Sequence, residues 1–146
     1  MPYATRAAKL RVVLDTNVLV SAFQFPAGTA ATLWDALGRG RYLLVSSPAI
    51  VREFAAILRN PFEWEEADVE RAVRLLARKA SFVNPTSIPD AVPDDPDDNH
   101  IVACALAGRA DLIVTGDKDL LRLKEYQDIP IVRTIDFVRT MGDLSM

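Results

Sequence analysis

The chain has 146 residues, of which 50% are hydrophobic and 25% are charged, and its formal net charge is -3. These values exclude an intrinsically disordered chain, and the length suits one domain over residues 1–146. With Cys104 as its only cysteine, the chain has neither a disulfide scaffold nor a cysteine-rich zinc site. No apolar run approaches the roughly 20 residues that span a bilayer. Residues 1–11 lack the apolar core of a secretory signal, so we expect a cytoplasmic protein with no membrane partner.

Strand and helix patterns alternate along the chain. In chain order, the first half predicts a strand at 11–14, a helix from residue 18, a helix at 29–39, a strand at 42–45, and helices at 49–59 and 65–79. The second half predicts a short strand at 81–83, a proline-rich loop at 84–97, a helix at 98–108, a strand at 111–115, a short helix at 120–123, a strand at 129–132 and a helix at 134–141. The strands are short continuous apolar runs, as expected when helices cover both faces of a sheet. This pattern predicts an α/β fold, a three-layer α/β/α sandwich with a central, mostly parallel sheet.

Two aspartates follow predicted strands at the point where each strand ends. Asp15 comes directly after the strand at 11–14, and Asp117 lies two residues beyond Thr115. In open parallel sheets, ligands bind outside the carboxyl ends of the strands. Both carboxylates are therefore placed at the expected ligand crevice. Each of them, taken alone, is also explained as an ordinary turn or helix N-cap aspartate.

Two further acids lie on predicted helices, at or beside their apolar faces. Glu53 lies at the border of the apolar face of its helix. Its alternative to a functional role is that of a glutamate at the rim that extends its carboxylate to solvent. Asp98 begins the next apolar helix, and its alternative role is the N-cap, which Asp97 could fill equally well. A carboxylate on a buried face is costly unless it is paired or bound to a metal.

Four such acids in one domain favour a common cause. Carboxylates that converge without histidine or cysteine suit hard divalent ions, so Mg²⁺ or Mn²⁺ fits this set better than Zn²⁺. Such ions support phosphoryl transfer. Other constellations are weak: His100 is the only histidine and is expected at the surface or a loop edge, and Cys104 is expected in the core. The net acidity counts weakly against a nucleic-acid partner, because domains that bind by charge alone are usually strongly basic.

Four segments, in this order, resemble the acid-bearing segments of PIN domains. They are residues 12–20 with Asp15, 47–58 with Glu53, 94–105 with Asp98, and 113–121 with Asp117. The likeness covers nearly the whole chain. Within this family the sequence is most similar to the toxin components of prokaryotic toxin–antitoxin pairs, the VapC-like proteins.

The resemblance implies a metal-dependent endoribonuclease that hydrolyses RNA phosphodiester bonds and leaves a 5′-phosphate. The metal ligands that it implies are Asp15, Glu53, Asp98 and Asp117. It further implies that Asp119 is an additional, water-mediated ligand, and that Asn17 and Thr115 support the ligands or position water. The implied cofactor is Mg²⁺ or Mn²⁺. The implied partners are an RNA substrate, a cognate antitoxin protein and a second copy in a homodimer.

Two other functions are considered beside the ribonuclease. The fold could serve as a non-catalytic RNA- or partner-binding module, although such a role would not require four acids. It could also be a metal-dependent phosphoesterase that acts on DNA. Several arginines lie in segments that could flank the crevice and hold a nucleic-acid backbone, and these are Arg39, Arg41, Arg52 and Arg59.

Overall fold

The computed structural model describes residues 9–93 and 95–144. Residues 1–8 of the segment considered for a secretory signal lie outside this part, as does Asp94 of the predicted loop. The strands are β1 (Arg11–Leu14), β2 (Leu43–Ser46), β3 (Ala80–Phe82), β4 (Leu112–Val114), β5 (Glu125–Tyr126) and β6 (Ile129–Val132). The helices are α1 (Thr16–Gln24), α2 (Thr29–Gly38), α3 (Pro48–Arg59), α4 (Glu66–Lys79), α5 (Pro96–Ala107), α6 (Lys118–Leu123) and α7 (Thr134–Leu144).

The strands of the described residues form one sheet in the order β3-β2-β1-β4-β6-β5. All neighbouring strands are parallel except β5, which is antiparallel to β6. β1 lies between β2 and β4, with Val12 opposite Leu44 on one side and Leu112 on the other. The prediction of a central, mostly parallel sheet is confirmed.

The order of the strands places the helices on two faces of the sheet. The chain moves from β1 through β2 to β3 in one direction and then crosses back to β4 and on to β6. Because crossovers between parallel strands are right-handed, α1 to α4 cover one face and α5 and α6 cover the other. α7 packs on α2 and so belongs to the first face. The structure therefore has the predicted three-layer α/β/α arrangement.

The core lies on both sides of β1. Val12 and Val13 of this strand are completely buried because their side chains point to opposite faces, each of which is covered by helices. The end of α5 packs closely on the sheet. A Cβ atom added at Gly108, the residue that caps α5, would collide with the side chain of Val45 in β2. The glycine therefore permits the helix to approach the strand.

Several boundaries differ from the predictions. α1 begins at Thr16 rather than near residue 18, because Asp15 takes the N-cap position immediately after β1. α5 begins at Pro96, inside the predicted loop, with Asp95 as its N-cap. β5 was not predicted. Among the residues that the structure describes, no helix is both long enough and apolar enough to cross a membrane.

Candidate metal centre

The four predicted acids lie at the carboxyl edge of the sheet. Asp15 follows β1 and Asp117 lies three residues beyond the end of the neighbouring parallel strand β4. Glu53 is in the second turn of α3, which begins directly after β2, and Asp98 is in the first turn of α5. Since β2, β1 and β4 are adjacent and parallel, these strands bring their carboxyl ends to the same edge.

Thr115 links the two aspartates that follow β1 and β4. Its buried hydroxyl donates a 2.5 Å hydrogen bond to Oδ2 of Asp15 and accepts one of 2.9 Å from the backbone N–H of Asp117. The backbone N–H of Asp15 also donates to the carbonyl of Val114 at 2.9 Å. Thr115 thus fixes the orientation of the Asp15 carboxylate and the path of the loop that carries Asp117.

Asp15 is buried, with 4% of its surface exposed. It occupies the N-cap position of α1, but its side chain makes no capping hydrogen bond. Burial raises the pKa of its carboxyl above the ordinary 3.8, while the hydrogen bond from Thr115 lowers it and the charge of Asp117 raises it further. Asp15 is therefore the N-cap residue of α1, as one interpretation predicted, and its carboxylate is in addition held by Thr115.

Asp98 is a second buried carboxylate of this group. It is 4% exposed, and its Oδ2 atom has no hydrogen-bond partner. Burial, followed by the charges of Asp117, Asp95 and Asp15, raises the pKa of its carboxyl from 3.8 to about 8. The N-cap that was considered for Asp98 and Asp97 is provided instead by Asp95, which accepts a 3.2 Å hydrogen bond from the backbone N–H of Asp97. The carboxyl of Asp98 is therefore buried without a capping role.

Glu53 is half-buried on the side of α3 that faces the other acids. Burial raises the pKa of its carboxyl, and the nearby charges of Asp97 and Asp15 raise it further, whereas the Thr16 hydroxyl lowers it. α3 packs against α1, which follows Asp15, and against α5, which contains Asp97. Glu53 therefore lies at the rim of the site, with its side chain neither fully buried nor fully exposed.

Four carboxylates are close enough to share one cation. Asp95, Asp98, Asp117 and Asp119 each offer an oxygen atom, and these atoms all lie within 4.8 Å of one another. Oxygen-only ligands suit Mg²⁺ or Mn²⁺. The buried Oδ2 of Asp98, which lacks a donor, is the kind of acceptor that a cation would satisfy. The residues present therefore fit a divalent metal ion.

The loop after β4 presents Asp117 and Asp119 together. Oδ1 of Asp117 accepts hydrogen bonds from the backbone N–H groups of Asp119 at 2.7 Å and Leu120 at 3.4 Å, so Asp117 also caps α6. Asp119 forms an ion pair of 3.0 Å with Arg122. In the described part of the chain, neither Asp117 nor Asp98 has an ion pair. The negative charge of the cluster is thus balanced only in part by protein cations.

Asp95 and Asp97 belong to this site but were absent from the predicted set. Asp95 precedes Pro96, and proline is favoured at the first position of a helix, so this dipeptide identifies the N-cap. A helix that begins there places Asp95, Asp97 and Asp98 in one turn beside the sheet edge. The sequence signal was therefore present, but the helix had been predicted to begin at residue 98.

The predicted supporting residue Asn17 lies near the acids, whereas two of the predicted arginines do not. Asn17 is exposed and lines a cavity of about 370 Å³ beside Gly116, while its backbone lowers the pKa of Asp15. Arg39 and Arg41 precede β2 and so lie at the opposite edge of the sheet from the acids. That part of the predicted set of flanking arginines is therefore wrong.

The two arginines of α3 also differ. Arg59 lies about 10 Å beyond Arg52 along the axis of α3 and pairs with Glu66 at 2.8 Å. Arg52 is adjacent to Glu53 and remains at the site. Cys104 is buried in the core as predicted, and burial raises the pKa of its thiol to about 12. His100 is half-buried on α5.

Known proteins resemble the chain in sequence and in fold. The chain is 28% identical over 121 residues to an uncharacterized protein from Methanocaldococcus jannaschii, an alignment that covers 80% of the chain and 77% of the relative. It is similar in fold to VapBC2 from Rickettsia felis bound to a DNA fragment from its promoter, with a TM-score of 0.63, 12% identity, and coverage of 85% and 98% of the two chains.

Two further solved structures have the same fold. VapBC-1 from nontypeable Haemophilus influenzae has a TM-score of 0.62 at 15% identity, covering 86% of this chain and 99% of that one. A protein from Pyrobaculum aerophilum has a TM-score of 0.61 at 12% identity, covering 97% and 96%. A family model described as the PIN domain matches residues 11–119, which include all four predicted acids. The chain belongs to the PIN-domain family.

Proposed function

We propose that this protein is a Mg²⁺- or Mn²⁺-dependent endoribonuclease and the toxin of a toxin–antitoxin pair. Membership of the PIN-domain family implies nuclease activity in general. The observation that carries the finer proposal is that acids from the end of β1, α3, α5 and the loop after β4 lie at one sheet edge, with Asp15 and Asp98 buried among them.

The proposed metal ligands are the acids of this edge: Asp15, Glu53, Asp98, Asp117 and Asp119. Of these, Asp98, Asp117 and Asp119 belong to the group of oxygens within 4.8 Å of one another, and Asp95 joins the proposed ligands as the fourth member of that group. Asp15 and Glu53 lie outside the group and are proposed from their position at the same sheet edge. When bound, divalent ions polarise the scissile phosphate and lower the pKa of an attacking water. Hydrolysis forms a bond between the water oxygen and phosphorus and breaks the bond to the 3′ oxygen, which leaves a 5′-phosphate.

The protein residues in this proposal hold the ligands in place. Thr115 keeps Asp15 oriented by donating to its Oδ2 atom, and it keeps Asp117 in register by accepting from its backbone N–H. Asp95 holds the start of α5 and thereby fixes Asp98. Such partners of ligands commonly change metal affinity or activity by about 10- to 100-fold when they are removed.

Metal removal and an Asp15→Asn substitution test the activity. We expect cleavage of a single-stranded RNA panel that stops in EDTA, returns with Mg²⁺ or Mn²⁺, and is lost in the variant. An Asp35→Asn variant, at an exposed position of α2, is the matched control and retains cleavage. Cleavage that persists in EDTA or in Asp15→Asn contradicts the mechanism. Cleavage of matched DNA oligonucleotides instead of RNA indicates a DNA phosphoesterase. Metal binding without cleavage of either nucleic acid indicates a non-catalytic module.

The toxin role requires its own experiment. VapBC2 and VapBC-1 share the fold, and the resemblance of the sequence to VapC-like toxins implies an antitoxin partner, which motivates a search for one. We expect expression of the chain to arrest growth and co-expression of the adjacent upstream gene product to relieve the arrest and co-purify. The Asp15→Asn variant does not arrest growth if RNA cleavage causes the arrest. Light scattering of the purified chain tests the proposed homodimer.

A further inference from the structure

A second pocket, lined by residues other than the acids, lies at the carboxyl edge of the sheet against the helices that carry Glu53 and Asp98. It has a volume of about 290 Å³ and lies between the start of α3, the segment after β3 and α5. Its walls include Arg52, His100, Asn84, Pro85 and Ile88. Small-molecule pockets begin at about 300 Å³, so this one has room for a single small group rather than a long ligand.

Two helices carry both residues of the pocket and acids of the site. Arg52 precedes Glu53 on α3, and His100 follows Asp97 by three residues on α5, which places these two residues on one face of the helix. α3 and α5 also contact each other, so the pocket and these two acids share one pair of helices. A polymer held at the acid cluster can therefore place its next unit in the pocket.

The chemistry of the pocket matches a nucleotide. Arg52 is an exposed cation, and neither it nor the His100 ring has a hydrogen bond or ion pair with any residue that the structure describes. Ile88, which is 52% exposed, and Pro85 give the pocket two apolar walls. Unpaired RNA bases are bound by stacking on histidine rings and on guanidinium planes, while arginine also contacts phosphate.

We propose that this pocket binds one unpaired nucleotide of the RNA next to the bond that is cut, with His100 contacting the base and Arg52 the phosphate or the base face. The inference rests on the proposed ribonuclease function and adds a nucleotide-binding position beside that site.

The test measures binding of a single-stranded RNA to the full chain in Ca²⁺, with the oligonucleotide checked for integrity afterwards. We expect Arg52→Ala and His100→Ala each to weaken binding by about tenfold, within the range measured when one stacked base loses its partner. Arg78→Ala removes an exposed arginine at the end of α4 and serves as the charge-matched control, with affinity unchanged within about twofold. Thermal unfolding of each variant verifies that it is folded.

An abasic scan makes the test specific for a base. In a series of RNAs, a single abasic nucleotide is placed at each position in turn. We expect wild type to lose affinity when one particular base is missing, whereas His100→Ala loses no affinity at that position. The comparison is a double-mutant cycle between the side chain and the base. If His100→Ala and wild type respond identically at every position, the pocket does not hold a base. In that case EDTA-sensitive RNA cleavage by wild type persists and the proposed function stands. If wild type neither binds nor cleaves RNA, both proposals are overturned.

Discussion

Replacing Asp98 by asparagine removes a buried carboxylate whose Oδ2 atom has no hydrogen-bond donor. We expect Asp98→Asn to stabilise the metal-free protein and to abolish the gain in stability that Mg²⁺ or Mn²⁺ gives to wild type. Residues that build a site are commonly unfavourable for stability in this way, because the empty site retains charges that repel each other.

The magnitude follows from the pKa of this carboxyl, which is about 8 in the folded protein against an ordinary 3.8. Between these values the folded state binds more protons than the unfolded state, so the free energy of unfolding falls as the pH rises through this window. At pH 7, about 3 units above the ordinary pKa, the Asp98 carboxyl lowers the free energy of unfolding by at most about 4 kcal/mol, since each unit corresponds to about 1.36 kcal/mol. Relaxation of the surrounding protein and penetration of water around the carboxyl reduce the expected destabilisation to about 2 kcal/mol.

The assay is thermal unfolding in EDTA, at pH 4.5 and at pH 7. A gain of about 2 kcal/mol corresponds to a rise in Tm of roughly 4–8 °C at pH 7 for a chain of this size. The gain shrinks towards pH 4.5, where wild-type Asp98 is protonated at little cost. With Mg²⁺ added, wild type rises in Tm and Asp98→Asn does not. The reasoning is refuted if Asp98→Asn lowers the Tm in EDTA, or if its effect matches that of the exposed control Asp35→Asn.

Three further substitutions test other parts of the structure. Thr115→Val removes the hydroxyl that orients Asp15, and we expect metal affinity by calorimetry to fall by about 10- to 100-fold; an unchanged affinity contradicts the role of this hydroxyl. Gly108→Ala places a methyl group against β2 and is expected to destabilise the protein by about 1–3 kcal/mol in urea unfolding, whereas Gly38→Ala, with open space around it, does not destabilise it. Arg59→Ala breaks an exposed ion pair far from the acids, so we expect unchanged Tm and RNA cleavage, and a loss of cleavage would place this arginine at the site.

The sequence predicted the architecture well because its strands are short apolar runs bounded by polar residues. β1 was predicted at its observed bounds, and β6 likewise. β5 has two residues, Glu125 and Tyr126, and is defined by its pairing with β6 rather than by any periodicity of its own. A strand of that kind has no local signal, since its partner determines it.

The site was predicted in part. Asp15, Glu53, Asp98 and Asp117 lie at one sheet edge because strand ends and adjacent helix starts meet there. Only Asp98 and Asp117 of these four belong to the group of carboxylates close enough to share a cation, and the contribution of Asp95 to that group depended on where α5 begins. Placing the arginines required the direction of each strand, because a residue before β2 lies at the opposite edge from one after it. The pairing order, with β1 in the centre, depends on tertiary packing that no single segment specifies.

The central position of β1 also determines when the site can exist during folding. Val12 pairs with Leu112, a partner 100 residues away, and until β4 docks beside β1 the hydroxyl of Thr115 cannot hold Asp15. Closing so long a loop before its contacts form makes parallel pairing a slow, late event. A chain that has not yet been synthesised past residue 117 therefore lacks Asp117 and the Thr115 contact to Asp15. The complete set of acids requires β4 beside β1, so the site depends on the last parallel pairing of β1.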